Sequence, residues 1–127
     1  MVRNRKSKGI NAERELVHLF WKENWAAVRV AGSGASRYPT PDVLASNGER
    51  PLAIECKSCA TNNQYLTKEE ITELKQFSDM FGAEAWVGVR FSSEAWRFYK
   101  IGELRETEKN YVVNRKEMGL DFQTLIT

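Results

Sequence analysis

The sequence predicts a mixed α+β fold in the α/β class, with a central mixed β-sheet flanked by helices. Two segments repeat apolar residues at helical spacing, around Leu16 to Phe20 and around Ile71 to Phe81. Several short apolar runs between them have strand length and are bounded by Gly, Pro, Asn and Ser. One pair of these runs is divided by Asn47-Gly48, a strong short-range hairpin signal. The resulting order is helix, three strands, helix, two strands and a mixed tail.

The first helix is expected over about residues 7–23, with Ser7 as N-cap. Ala12, Leu16, Leu19 and Phe20 form its apolar stripe. Glu13 stands three residues before Leu16 and four before Val17, at the border of the stripe, where its carboxylate could lean over the sheet. Arg14 and Glu15 point further round, and His18, the only histidine, lies off the stripe. Ala26 to Val30 reads as a strand in which Arg29 faces away from Val28 and Val30. The small, polar, proline-terminated stretch from Ala31 to Pro41 reads as a loop. Val43-Leu44-Ala45 and Leu52-Ala53-Ile54 form the hairpin. Ser58 to Leu66 is polar and reads as a second loop. Thr67-Lys68-Glu69-Glu70 has the capping-box pattern and opens a helix through Ile71, Leu74, Phe77, Ser78 and Phe81, which Gly82 ends. Ala85 to Phe91 and Ala95 to Ile101 follow as paired strands, with Trp86, Gly88 and Arg90 on one face of the first and Val87, Val89 and Phe91 on the other. Val112-Val113 is expected to be a short strand and Arg115 to Met118 a helical turn.

A chain of 127 residues with 42% hydrophobic and 28% charged residues fits one domain, residues 1–127, with its own core. No apolar run approaches the roughly 20 residues that cross a bilayer, and no apolar segment follows the basic start, so neither a membrane span nor a secretory signal is expected. The net charge of +2 permits an anionic partner. Arg3, Arg5, Lys6 and Lys8 form a basic arm over residues 1–8, expected to be flexible and either to bind nucleic acid or to serve as a solvated tail. Cys56 and Cys59 are the only cysteines. A zinc ribbon needs a second pair, and a thioredoxin-type site needs its pair at a helix start rather than at a strand end. We therefore expect a buried Cys56 thiol, a loop thiol at Cys59 and a reducing, cytoplasmic location. One histidine gives no support to a hydrolytic triad, and Gly32-Ser33-Gly34 lacks the Gly-Lys-Ser/Thr of a P-loop. The alternating aromatics Trp86, Trp96, Phe98 and Tyr99 are expected in core or subunit contacts rather than stacked on bases.

The hairpin holds the chemistry. Asp42 follows Pro41 and opens the first apolar run; Glu55-Cys56-Lys57 closes the second. A two-residue loop makes Asp42 a diagonal neighbour of Glu55, and a four-residue loop, Asn47 to Arg50, sets the two directly opposite. In either register Asp42, Glu55 and Lys57 share a face while Cys56 points the other way. Two carboxylates brought close repel each other unless a cation intervenes, so the economical reading is a hard divalent metal site with a lysine beside it. Such a site suits phosphodiester cleavage, which needs an activated water, charge neutralisation and help for the leaving oxygen. Asp42 and Glu55 are the expected metal ligands, with the Cys56 main-chain carbonyl and Glu13 as further ones. Lys57 would stabilise charge or orient water, and Arg29 and Arg37 would contact phosphate. The bland readings are a turn residue at Asp42 and a solvent-facing Glu55 and Lys57 pair of little consequence.

Pro41-Asp42 followed by Glu55-x-Lys57 resembles the PD-(D/E)-x-K nuclease superfamily. The segment Lys8-Gly9-Ile10-Asn11-Ala12-Glu13-Arg14-Glu15-Leu16 is similar to the opening helix of the archaeal Holliday-junction resolvases, and Val28-Arg29-Val30-Ala31-Gly32-Ser33-Gly34 and Ala95-Trp96-Arg97-Phe98 are similar to later segments of that family. The resemblance implies a restriction-endonuclease-like single nuclease domain. It implies a homodimer that binds four-way junction DNA and cuts two opposed strands with Mg²⁺ or Mn²⁺, a crossover-junction endodeoxyribonuclease of DNA recombination and repair with no organic cofactor. It makes Glu13, Asp42 and Glu55 the acidic cluster, Lys57 catalytic, Arg14 and Arg29 functional, and Ser33 and Ser36 part of a substrate-contacting loop. Phe77, Met80 and Trp86 are expected at the dimer interface. The alternatives are another endonuclease of the superfamily that cuts duplex DNA and a DNA-binding module that has lost cleavage.

Overall fold

The computed structural model describes residues 5–32, 35 and 37–127; of Arg5 and Lys6 it describes the backbone only. The chain opens with α1 (Arg5–Lys22), then β1 (Ala26–Arg29), β2 (Val43–Ser46), β3 (Pro51–Cys59) and β4 (Asn63–Thr67). Then come α2 (Lys68–Phe81), β5 (Glu84–Phe91), β6 (Trp96–Lys100), β7 (Arg105–Glu106), β8 (Asn110–Asn114) and α3 (Phe122–Leu125). Five strands build the central sheet in the order β1-β2-β3-β5-β6. Only β3 and β5 run parallel within it; the other neighbours are antiparallel. A parallel neighbour requires a crossover, and α2 makes it, so the sheet is mixed, as the sequence predicts.

The helices cover opposite faces because β3 and β5 are apolar on both. Leu52, Ile54 and Cys56 of β3 and Trp86 of β5 pack with Leu16 and Phe20 of α1, joined by Trp96, Phe98 and Leu125. Ala53, Val87, Val89 and Phe91 turn the other way, onto Ile71 and Leu74 of α2. The split of β5 between the two layers follows the alternation the sequence gives for Trp86 against Val87, and strands buried on both faces are what a parallel pair requires. Trp96, Phe98 and Tyr99 are buried, so these aromatics are core.

Several expectations fail for identifiable reasons. Ser7 is not a cap, since α1 already runs from Arg5; Arg5, Lys6 and Lys8 therefore belong to a helix rather than to a flexible arm. The polar stretch Ser58 to Leu66 is not one loop. β3 continues to Cys59, and Asn63–Thr67 pairs with β8 in a second sheet ordered β4-β8-β7. Its polar residues hide a strand because only Leu66 of β4 is buried. The tail supplies β8, around the strand expected at Val112-Val113, but α3 stands where no helix was expected, capped by Asp121 accepting from the Thr124 N–H at 2.8 Å. Arg115 and its followers form a turn rather than a helix. By contrast α2 follows its sequence signals at both ends. Thr67 and Glu70 complete the capping box, and Gly82 closes the helix in the left-handed region at φ 79°. Among the described residues no helix is long and apolar enough to cross a membrane.

Candidate active site

The β2–β3 register settles the hairpin. Val43 faces Ile54 and Ser46 faces Pro51, which leaves a four-residue loop from Asn47 to Arg50. Asn47 Oδ1 caps that loop by accepting from the N–H groups of Glu49 and Arg50 at 2.9 and 2.8 Å. Continuing the register sets Asp42 opposite Glu55. Asp42 itself lies on the bend before β2 and is buried. Its backbone N–H donates to Ile54 O at 3.1 Å, and its carbonyl accepts from the Val30 N–H at 2.8 Å. Its Oδ2 accepts from the Cys56 N–H at 2.8 Å. Asp42 is thus fastened to β3 on both sides of Glu55, by its backbone at Ile54 and by its carboxylate at Cys56, and the carboxylate hydrogen bonds with the Glu55 side chain.

Glu55 and Lys57 share the face of β3 that turns toward α2, and Cys56 is buried in the layer beneath α1. Glu13 corrects one expectation. It comes from α1, the layer opposite Glu55, and does not join a single-faced cluster. It meets the site through the charge of Asp42 at the start of β2. Arg29, on the α1 face of β1 as its parity requires, stands 3.6 Å from Glu13.

Electrostatically the site is crowded with acid. Burial, then the charge of Asp42, pushes the Glu13 carboxyl from its ordinary 4.5 to about 7, with Arg29 pulling the other way. Burial, then Asp42, pushes Glu55 to about 9, against the pull of Lys57. Burial and the same carboxylates raise the Cys56 thiol far above its ordinary range, so it is no nucleophile. Burial alone would lower Lys57, yet its bond to Glu70 and the charges of Glu70, Glu55 and Asp42 hold it above the usual lysine value. Lys57 Nζ lies 2.5 Å from Glu70 Oε2. Glu70 was read from the sequence only as a helix cap. The signal for its second role is tertiary, because α2 crosses the face of β3 that carries Lys57. Hard carboxylate oxygens crowded together in this way are donors that could hold a divalent cation. Among the described residues, no three His, Cys, Asp or Glu side chains are grouped so that together they could hold a metal ion.

Of the expected DNA contacts, Lys8 borders a groove of about 650 Å³ that also touches Lys57, Ser58, Asn63, Gln64 and Tyr65. Arg14 and Arg37 are exposed, with the Arg37 guanidinium 6.0 Å from the Tyr38 ring centre. Arg3, Ser33 and Ser36 lie outside the described residues, as do the side chains of Arg5 and Lys6. His18 is exposed, as its place off the stripe requires. Cys59 corrects the loop-thiol reading. It ends β3, is buried, and donates to the carbonyls of Thr61 and Asn63 at 3.4 Å. Cys56 and Cys59 point into opposite core layers and are both free thiols.

Comparison with known proteins gives one consistent result. Residues 4–127 match the family model described as archaeal Holliday junction resolvase (hjc). The crossover junction endodeoxyribonuclease Hjc of Archaeoglobus fulgidus is 44% identical over 118 residues, which cover 93% of this chain and 87% of that one. The protein of the same name from Methanocaldococcus jannaschii is 33% identical over 127 residues, covering 98% and 91%. The solved structure of Archaeoglobus fulgidus Hjc, a Holliday junction resolvase, superimposes with a TM-score of 0.87 at 39% identity, covering 91% of this chain and 96% of that one.

Proposed function

This chain belongs to the archaeal Holliday junction resolvase family, and from that premise we propose that it is a crossover junction endodeoxyribonuclease that cuts opposed strands of a four-way DNA junction with a divalent metal at Asp42, Glu55 and Lys57. The observation that carries the site is the fastening of Asp42. Its carboxylate is tied to β3 through the Cys56 N–H and abuts Glu55, with Lys57 two residues on along the same face.

Mg²⁺, for which Mn²⁺ can substitute, would be held by the side chains of Asp42 and Glu55, the Cys56 main-chain carbonyl and Glu13. Such an ion supplies Lewis-acid activation of the attacking water and neutralises charge on the scissile phosphate. The chain's own residues do the rest. Asp42 is held rigid by main-chain bonds, which fixes the donor that the others gather around. Lys57 stays protonated and presents its ammonium to the phosphate. Arg29 holds Glu13 against the sheet. Lys8 and its groove carry the strand's backbone toward Lys57. Arg14 and Arg37, exposed, add phosphate contacts.

Paired cleavage needs two sites related by a two-fold axis, and a homodimer supplies them. The surface that supports this reading lies at the β1 edge. Trp21, Val28, Leu44, Pro51, Leu52 and Phe81 line an apolar groove of about 220 Å³. Val28 and Phe81 are each 57% exposed, Phe81 stacks on Phe77 at 5.1 Å, and Met80 is 82% exposed. Trp86, expected at the interface, is instead buried against α1 at 3% exposure. Val28→Asp with Phe81→Glu should give a monomer by sedimentation at micromolar concentration; an unchanged dimer removes this surface from the proposal. A cytoplasmic location accords with the two unlinked thiols.

The decisive experiment compares a synthetic four-way junction with a matched linear duplex, each with Mg²⁺ and with EDTA. Symmetric junction cleavage in Mg²⁺ alone is expected. Equal cutting of the duplex moves the chain to a general duplex nuclease, and cleavage in EDTA ends the metal assignment.

A further inference from the structure

We propose that Glu70 is the positioning residue for Lys57, holding the ammonium on the α2 side of the site. This deepens, and rests on, the reading of Asp42, Glu55 and Lys57 as the cleavage centre.

Lysine carries a long, flexible stem and no fixed fork of donors. Left alone, the Lys57 ammonium would settle on the nearest acids, and Glu55 and Asp42 both lie within its field. Bound there, it would occupy the oxygens that a divalent cation needs. Glu70 prevents this by geometry. Its Oε2 takes Lys57 Nζ at 2.5 Å, while its Oε1 accepts from the Thr67 N–H at 2.9 Å. Its own N–H donates to Thr67 Oγ1 at 3.0 Å. The carboxylate is therefore locked by the capping box before it meets the lysine, and it cannot follow the ammonium toward Glu55. Both oxygens are engaged, one by the helix and one by the active site.

That double duty makes the residue type specific. The capping-box pattern tolerates Gln, but a glutamine side chain has one acceptor oxygen and offers a donor in place of the other. It can complete the cap or hold Lys57, not both. Glutamate at this position is explained by the site rather than by the helix alone. The same contact ties the lysine to the start of α2 and hence to β4, which ends at Thr67 and pairs with β8. The second sheet is thus joined mechanically to the cleavage centre.

The test is single-turnover cleavage of a preformed junction complex, with junction Kd and Tm measured beside it. Glu70→Ala should slow cleavage by about 10- to 100-fold, as loss of a group supporting a site residue does, with Kd unchanged. Glu70→Gln should recover part of that rate. Ile71→Val loosens the same turn of α2 without touching Lys57, so it should lower Tm and leave the rate alone. In a Lys57→Ala background, Glu70→Ala should add nothing, because coupled residues are not additive. Full-rate cleavage by Glu70→Ala beside an inactive Lys57→Ala overturns the positioning role and leaves the site standing. Parallel slowing by Glu70→Ala and Ile71→Val also overturns it, by reducing Glu70 to a structural cap. Normal cleavage by Lys57→Ala overturns the site reading itself.

Discussion

Two clusters of charge in this molecule are built on opposite plans. At the tail, Glu94 receives two arginines, Arg97 and Arg115. Those arginines spend their remaining donors on main chain. Arg115 reaches the carbonyls of Ser92 and Thr61 at 3.1 and 3.2 Å, and Arg97 reaches that of Glu117 at 3.3 Å. Both guanidinium groups lie over the Phe91 ring, at 5.5 and 5.0 Å from its centre. Every charge there has a partner, and the result is a clamp between the tail and β5. At the hairpin, four acids, Glu13, Asp42, Glu55 and Glu70, share two cations, Arg29 and Lys57. Two of those acids are driven to about 7 and 9. The difference teaches how the two regions are used by the fold. Charges that only hold it together are balanced, whereas an excess of buried acid over the cations facing it is the pattern expected of a ligand site.

The largest effect should come from the centre of the acid-rich cluster. Asp42→Ala removes the fastened donor, and junction cleavage in Mg²⁺ should fall on the order of 10²- to 10³-fold or more, with junction binding retained. Near-normal cleavage would erase the distinction between the clusters.

A second test uses pH in the metal-free protein. Glu13 and Glu55 have folded pKa values above the ordinary 4.5. The folded state therefore holds protons that the unfolded chain has released, and stability falls as pH rises. The loss begins above about 4.5 and runs through about 7 and about 9. In EDTA, Tm should decline between pH 6 and 9; with Mg²⁺ the decline should shrink, and calorimetry should show Mg²⁺ binding that tightens with pH and releases protons. A flat Tm profile in EDTA would mean that the acids are not strained.

How much of this contrast is legible in the sequence depends on the range of the contacts. The hairpin is written locally. Asn47-Gly48, the apolar runs and strand parity bring Asp42 to Glu55 over 13 residues, and the capping box and Gly82 fix α2. The long-range features are not written that way. β4 is hidden because an edge strand with one buried residue, Leu66, has no alternation to read. Of β8 only Val112-Val113 is legible, and α3 is not, because short elements in the tail depend on pairing with β4 and on the Phe98–Leu120 bridge rather than on propensity. Glu13 is legible as a carboxylate beside a helix stripe, but its layer is not, because its approach to Asp42 is a contact between α1 and a strand end that no local pattern records. Glu70 carries a complete local explanation as a cap, and that conceals the tertiary one.

The smallest effect should come from the satisfied cluster, and its sign should be opposite. Arg115 and then Arg97 hold Glu94 below the usual glutamate range. A depressed folded pKa contributes stability above the unfolded pKa, near 4.3 to 4.5, and that contribution is lost as pH falls through the folded value. Acid should therefore weaken the tail clamp, whereas alkali weakens the hairpin. Glu94→Gln removes the titrating group while leaving the arginines their carbonyls and the Phe91 ring. The variant should lower Tm slightly near neutrality, because solvent and salt screen the pairs, and should change the junction cleavage rate by less than about twofold. Below pH 4.5 its Tm should converge on that of the parent chain, and added salt should narrow the difference at pH 7. A Glu94→Gln variant that cuts junctions tenfold more slowly would show that the tail clamp acts on the cleavage centre, and the two clusters would then have to be treated as one.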